Sequence, residues 1–86
     1  NCGNGPDEIE AVIHAMHQAK PDAILIAKSN AGLPKAVGSN FVYEATPEDM
    51  AEYARQVQSQ GARIIGACCG STPQHIQAMA QALQAV

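Results

Sequence analysis

The sequence predicts an α/β fold built on a parallel sheet, and three observations carry that expectation. Two short runs are continuously apolar, three stretches space their apolar residues helically, and the two kinds of segment alternate along the chain. Pro6 opens the first helix: Ile9, Val12, Ile13 and Met16 follow at helical spacing, and Asp7, Glu8 and Glu10 sit where the helix dipole favours acids. This helix is expected to run to about Lys20. After the Pro21-Asp22 turn, Ala23–Ala27 reads as a strand covered on both faces. A loop of Ser, Asn, Gly and Pro spans Ser29 to Asn40, followed by a small extended piece at Phe41–Tyr43. Thr46-Pro47-Glu48-Asp49 is a capping signal that starts a second helix running to about Gln60. Gly61 supplies a left-handed end, and Arg63–Ala67 reads as the second buried strand. Thr72-Pro73 repeats the start signal, with Ile76, Met79, Ala80 and Leu83 as the expected buried stripe of the third helix.

Composition narrows the function. The chain has 86 residues, 47% of them hydrophobic and 15% charged, as in an ordinary globular segment. Net charge is -3 and the five Lys and Arg residues are scattered singly, so we expect no nucleic acid and no acidic membrane as partner. Ala23–Ala27 is far too short to span a bilayer and no basic-then-apolar leader opens the chain, so a cytoplasmic setting is expected. Asn1-Cys2-Gly3 leads straight into a helix with no strand in front of it. Two strands apolar on both faces also cannot close a sheet alone. We therefore expect a piece of a larger domain, completed by further chain or by another copy.

The three cysteines are the candidate chemistry. An odd number, two of them adjacent, gives no disulfide framework. Cys2 directly precedes the first helix, and Cys68 and Cys69 directly follow the second strand, so all three lie at the carboxyl ends of strands, where catalytic groups of (β/α) barrels gather. Adjacent cysteines on a regular strand point to opposite faces, so joint ligation requires a sharp turn, which the flanking Gly66 and Gly70 would permit. Three sulfur ligands match a catalytic zinc site with one open position. Two other readings stand beside it. A cysteine can be a small apolar core residue, and Cys68-Cys69 could form a strained vicinal disulfide.

Asn1-Cys2 with Gly5-Pro6, then Asn30-Ala31-Gly32-Leu33-Pro34, then Gly66-Ala67-Cys68-Cys69-Gly70-Ser71-Thr72-Pro73-Gln74-His75-Ile76, resembles the last third of the homocysteine S-methyltransferase family. The resemblance covers essentially the whole chain in order. It implies that residues 1–86 are the C-terminal part of a (β/α)8 barrel, namely the end of unit six and units seven and eight. It further implies that Cys2, Cys68 and Cys69 hold Zn2+, that homocysteine sulfur takes the open position, and that a methyl donor is the second substrate. The family's donors are betaine, S-methylmethionine, S-adenosylmethionine, and methylated folate by way of a cobalamin carrier; the segment Lys28–Pro34 leans towards betaine. Two positions depart from the family pattern: Ala67 replaces a glycine and adds a methyl group that would crowd the substrate, and Ser29 replaces a proline. The first five barrel units are not in this sequence. The competing expectation is therefore a non-catalytic fragment that binds zinc or packs on a partner chain.

Other polar residues are read more modestly. Asn30 ends the first strand on the cysteine side and is the candidate substrate-proximal residue, against the alternative of an asparagine capping its own turn. Gly3-Asn4-Gly5 is a tight turn, since Glu8 stands where a dinucleotide fingerprint needs its third glycine. His14 and His17 fall off the apolar stripe, on a solvated helix face; His75, in the first turn of the third helix, is read either as a neutral imidazole packed near the cysteine loop or as an exposed residue, and is given no catalytic role. Met16, Met50 and Met79 are expected in the core.

Overall fold

A computed structural model describes residues 1–84. In chain order the elements are helix α1 (Pro6–Ala19), strands β1 (Leu25–Ser29), β2 (Pro34–Val37) and β3 (Asn40–Tyr43), helix α2 (Pro47–Ser59), strand β4 (Ala62–Ala67) and helix α3 (Pro73–Gln84). The α/β class expected from the sequence is what the chain adopts.

Local signals explain most boundaries. α1 starts with Pro6 at its first position after Gly5, with Asp7 and Glu8 in its first turn. α2 is entered through a full capping box: the Asp49 N–H donates to Thr46 Oγ1 at 3.1 Å, and the Thr46 N–H to Asp49 Oδ2 at 2.9 Å. It is left through Gln60 and Gly61, whose φ of 113° suits glycine. β1 and β4 pair in parallel, Ile26 opposite Ile64 through Ser29 opposite Ala67, with α2 as part of the crossover between them. β2 and β3 form an antiparallel hairpin around Gly38, whose φ is 63°.

The core lies between the sheet and its helices. Leu25, Ala27 and Ser29 of β1 are buried against Ile9 and Ile13 of α1, Met50, Tyr53, Ala54 and Val57 of α2, Ala62 and Met79. The other sheet face is open: Ile24, Ile26 and Ile64 are 68%, 45% and 53% exposed. The chain is only 13 Å deep along its shortest axis, which suits two layers packed roughly 10 Å apart and leaves no room for a third.

Five expectations are corrected. The first strand begins two residues later than Ala23 and continues through Lys28 to Ser29, alternating buried and exposed instead of being covered on both faces. The segment assigned to loop contains β2, because Lys35, Ala36 and Val37 pair with β3 although all of β2 is exposed. In α3 the buried residues are His75, Met79 and Ala82, while Ile76 is 48% exposed, so the stripe is rotated by about one residue. Met50 and Met79 are in the core, but Met16 is 43% exposed and shares the outer part of α1 with Val12. His17 is not solvated. It packs over Gly61, where any Cβ would collide with its ring, and its Nδ1 is buried without a partner.

Burial separates two methionines of equal size. Met50→Ala should cost about 2–5 kcal/mol and Met16→Ala less than about 0.5 kcal/mol, read by urea denaturation. Equal losses would contradict the packing. Tyr53 gives a pH test. It is 1% exposed, its hydroxyl has no hydrogen-bond partner, and burial pushes its phenol up to about 12, with the nearby Ser29 backbone opposing and Glu10 adding to the rise. The unfolded phenol titrates near about 10, so above that pH the folded state holds the extra proton and stability falls as pH rises towards about 12. Tyr53→Phe should flatten that slope and, by removing an unpartnered polar atom, be neutral or stabilising at pH 7. A clear loss of stability at pH 7 would show that the hydroxyl is bonded after all.

Candidate functional site

Successive residues of a strand direct their backbone groups to opposite edges, so the two edges of β1 can be read separately. One edge carries β4, and beyond its end Cys68 N–H donates to Ser29 O at 2.9 Å and Ala31 N–H to Cys69 O at 2.9 Å. The other edge carries the start of the chain. Asn1 uses its carboxamide as a substitute peptide unit, its Nδ2 donating to Ile26 O at 2.7 Å and its Oδ1 accepting from Lys28 N–H at 2.7 Å. Asn30 N–H then donates to Cys2 O at 3.0 Å. The carboxyl end of β1 thus has Cys2 on one side and Cys68-Cys69 on the other.

Asn30 joins the two sides. Its Nδ2 donates to Gly3 O at 3.0 Å and its Oδ1 accepts from Cys69 N–H at 2.9 Å. Neither bond is local, so the alternative of a turn-capping asparagine does not describe it.

Cys68 is half-buried, Cys2 and Cys69 are exposed, and all three are free thiols. The Cys2 and Cys68 thiols shift each other's acidity in opposite directions. Cys68 is pulled below the ordinary thiol value, first by the Cys2 S–H directed at its sulfur and then by the Cys69 backbone N–H. Cys2 is pushed up, first because its S–H is held by Cys68, then by partial desolvation and by the neighbouring charge. Cys69 lies alongside Cys68, also lowering it. Among the described residues no three His, Cys, Asp or Glu side chains already meet in metal-holding geometry. What is brought together is a pair of thiols with a third next to it.

The loop after β4 is shaped from below. Gly70 has a φ of 84° and the Tyr43 ring fills the place where a Cβ would be, so glycine is required there on both counts. Gly66 has no such need; it sits in β4 beneath the Lys28 stem, correcting the expectation that both glycines permit the turn. His75 is buried: Thr72 N–H donates to its Nδ1 at 3.1 Å and its Nε2 meets Ala45 O at 2.7 Å, which fixes the tautomer with hydrogen on Nε2. It ties the start of α3 to the end of the hairpin. Sequence reasoning missed Asn1 and Tyr43 as builders of this site and left open whether His75 packs there or is exposed; it packs there. The Thr72-x-x-His75 spacing, which resembles a capping box, is the signal that could have decided it.

The remaining expectations resolve simply. Ala67 is half-buried and packs against the core. Ser29 is fully buried with its hydroxyl donating to Asn30 O at 2.7 Å. Gly3-Asn4-Gly5 is a turn in which Asn4 donates to Glu8. An open groove of about 570 Å³, lined by Ala67, Cys68, Ser71, Thr72, Pro73, Ile76 and Gln77, adjoins the cysteines.

Compared with known protein families, residues 1–83 match the sequence model described as homocysteine S-methyltransferase. That match takes in both cysteine loops, Asn30 and all but the last residue of α3, so the chain belongs to the homocysteine S-methyltransferase family.

Proposed function

We propose that this chain is the zinc-binding end of a (β/α)8 barrel that transfers a methyl group to the thiol of homocysteine, giving methionine. The observation that carries the reading is the arrival of Cys2 and Cys68-Cys69 at one strand end from opposite edges. The chemistry of the donor set suits zinc: three free thiols, with a single side-chain torsion before each sulfur, on backbones pinned by hydrogen bonds. Barrel architecture is supported by the parallel β1–β4 pair, its helices on one side and its isoleucines bare on the other, as for strands whose second face lines a barrel interior. The bare face would be covered by the rest of the barrel or by another copy.

In this mechanism Cys2, Cys68 and Cys69 hold the metal, and Asn1, Asn30 and the Tyr43–Gly70 contact hold the cysteines. When bound, zinc supplies the acidity that keeps a coordinating thiol deprotonated at neutral pH. The homocysteine sulfur forms a bond to the methyl carbon as that carbon's bond to the donor heteroatom breaks, and the electron pair leaves with the donor. The protein's own share is alignment of sulfur and carbon, which can be worth about 7–11 kcal/mol of a barrier.

Two measurements test this. The reduced protein should bind one zinc through sulfur, and Cys68→Ala or Cys69→Ala should weaken binding strongly while His14→Ala leaves it unchanged. An X-ray absorption edge dominated by nitrogen and oxygen neighbours would sink the assignment. Methionine formation from homocysteine should be negligible for the 86-residue chain and appear when the first five barrel units are supplied, with each of the family's donors tried in turn. Turnover by the short chain would show that the substrate surface lies elsewhere. Zinc binding without turnover in the extended protein would favour a non-catalytic, zinc-binding or interaction role.

A further inference from the structure

Among the described residues, Asn30 is the one whose side chain bonds to both cysteine loops, 27 residues away on one side and 39 on the other. From that geometry we infer that Asn30 is a positioning residue, a clamp that sets the spacing of the Cys2 loop and the Cys68-Cys69 loop before any metal arrives. The inference rests on the function proposed above but is carried by a different observation.

The ladder itself stops short of what the site needs. The backbone bonds at Cys2 O, Cys68 N and Cys69 O fix each loop against β1, but each lies on a separate edge, and none runs from one loop to the other. Gly3 O follows Cys2 O on one side, and Cys69 N–H lies between the bonded Cys68 N–H and Cys69 O on the other, and the ladder uses neither. One carboxamide satisfies both, using a donor on one arm and an acceptor on the other, which no other side chain of this length provides except aspartic acid in its protonated form. Asn30 is itself held twice: its N–H donates to Cys2 O, and its carbonyl accepts from the buried Ser29 hydroxyl. The clamp is therefore anchored at the end of β1, with its own backbone tied to Cys2 on one side and to Ser29 on the other. Its two bonds act on backbone, so it sets the positions of the Cβ atoms from which the thiols swing. Without it, the Asn1–Gly3 arm and the Cys69–Gly70 turn keep only their contacts to their own edges, and their separation becomes free to vary.

Residues that orient metal ligands typically change metal affinity by about 10–100-fold when replaced. Asn30→Leu, close in shape and lacking both polar atoms, should weaken zinc binding of the full-length native protein by that factor in competition with a chromophoric chelator. It should also alter the sulfur-to-metal charge-transfer absorbance of the cobalt(II)-substituted protein. The thermal midpoint should move little, because Asn30 packs no apolar core. Zinc affinity within threefold of the unsubstituted protein would overturn the clamp. Hydrogen exchange on the unsubstituted, metal-free protein decides the matter independently of zinc and of whether Asn30→Leu folds. The Cys69 amide should exchange slowly, like the Cys68 amide bonded to Ser29 O, and a Cys69 amide exchanging as fast as an exposed loop would overturn the inference. If the unsubstituted protein binds no zinc while its Cys69 amide is protected, the functional reading fails and the clamp stands.

Discussion

Everything at the candidate site hangs on the last turn of hydrogen bonds around β1. A parallel strand offers donors and acceptors on both edges, and here the two edges are used by segments from opposite ends of the sequence. Because residues 26, 28 and 30 serve one edge and 27, 29 and 31 the other, a one-residue slip would exchange the partners and turn the buried Leu25, Ala27 and Ser29 outwards. The core against α1 and α2 forbids that slip. Hydrophobic register therefore fixes where the cysteine backbones sit, although no cysteine belongs to the core.

That dependence explains what was legible in the sequence. Helix starts at Pro6, Thr46 and Thr72-Pro73 were readable because their signals are local: a cap, a proline, acids in the first turn. The positions of β1 and β4 were readable to within two residues, since continuous apolar runs mark existence better than ends, whereas the fully exposed β2 carries no such run and was not. One-sided cover was not legible. Ile24 and Ile26 are as apolar as Leu25, and only the packing of α1 and α2 shows which of them is buried. The rotated stripe of α3 has the same origin, with a histidine in the stripe because Thr72 and Ala45 satisfy both its nitrogens. At the site, the cysteines, Asn30 and the turn glycine Gly70 were identifiable by residue type and place, whereas Asn1 and Tyr43 act through backbone mimicry and shape that no periodicity records.

Two kinds of support hold the cysteine loops, and they differ in character. Below the Cys68-Cys69 loop the fit is steric: the Tyr43 ring under Gly70 and the buried His75 leave one path for the chain. The Asn1–Gly3 arm has no buried apolar side chain and is held by hydrogen bonds alone, two from the Asn1 carboxamide, one at Cys2 O and one at Gly3 O. Exposed hydrogen bonds are each worth only about 0.5–1.5 kcal/mol net, so this arm is the softer half of the site.

Unequal stiffness has a chemical consequence. Three thiols that must ionise together repel one another once charged, and the Cys2–Cys68 pair already divides the cost unevenly: Cys68 gives up its proton more readily and Cys2 holds on to its own. A cation held by such a set would take ligands from both loops, Cys68 and Cys69 on the stiffer one and Cys2 on the softer arm whose spacing Asn30 sets. Binding at both loops would add to the hydrogen bonds that already hold that arm, since a ligand that binds only the folded state stabilises it. The bare isoleucine face lies on the same strand. Covering Ile24 and Ile26 would stiffen β1 along the edge that receives Asn1, so the completion of the sheet and the affinity of the thiols are coupled through one strand.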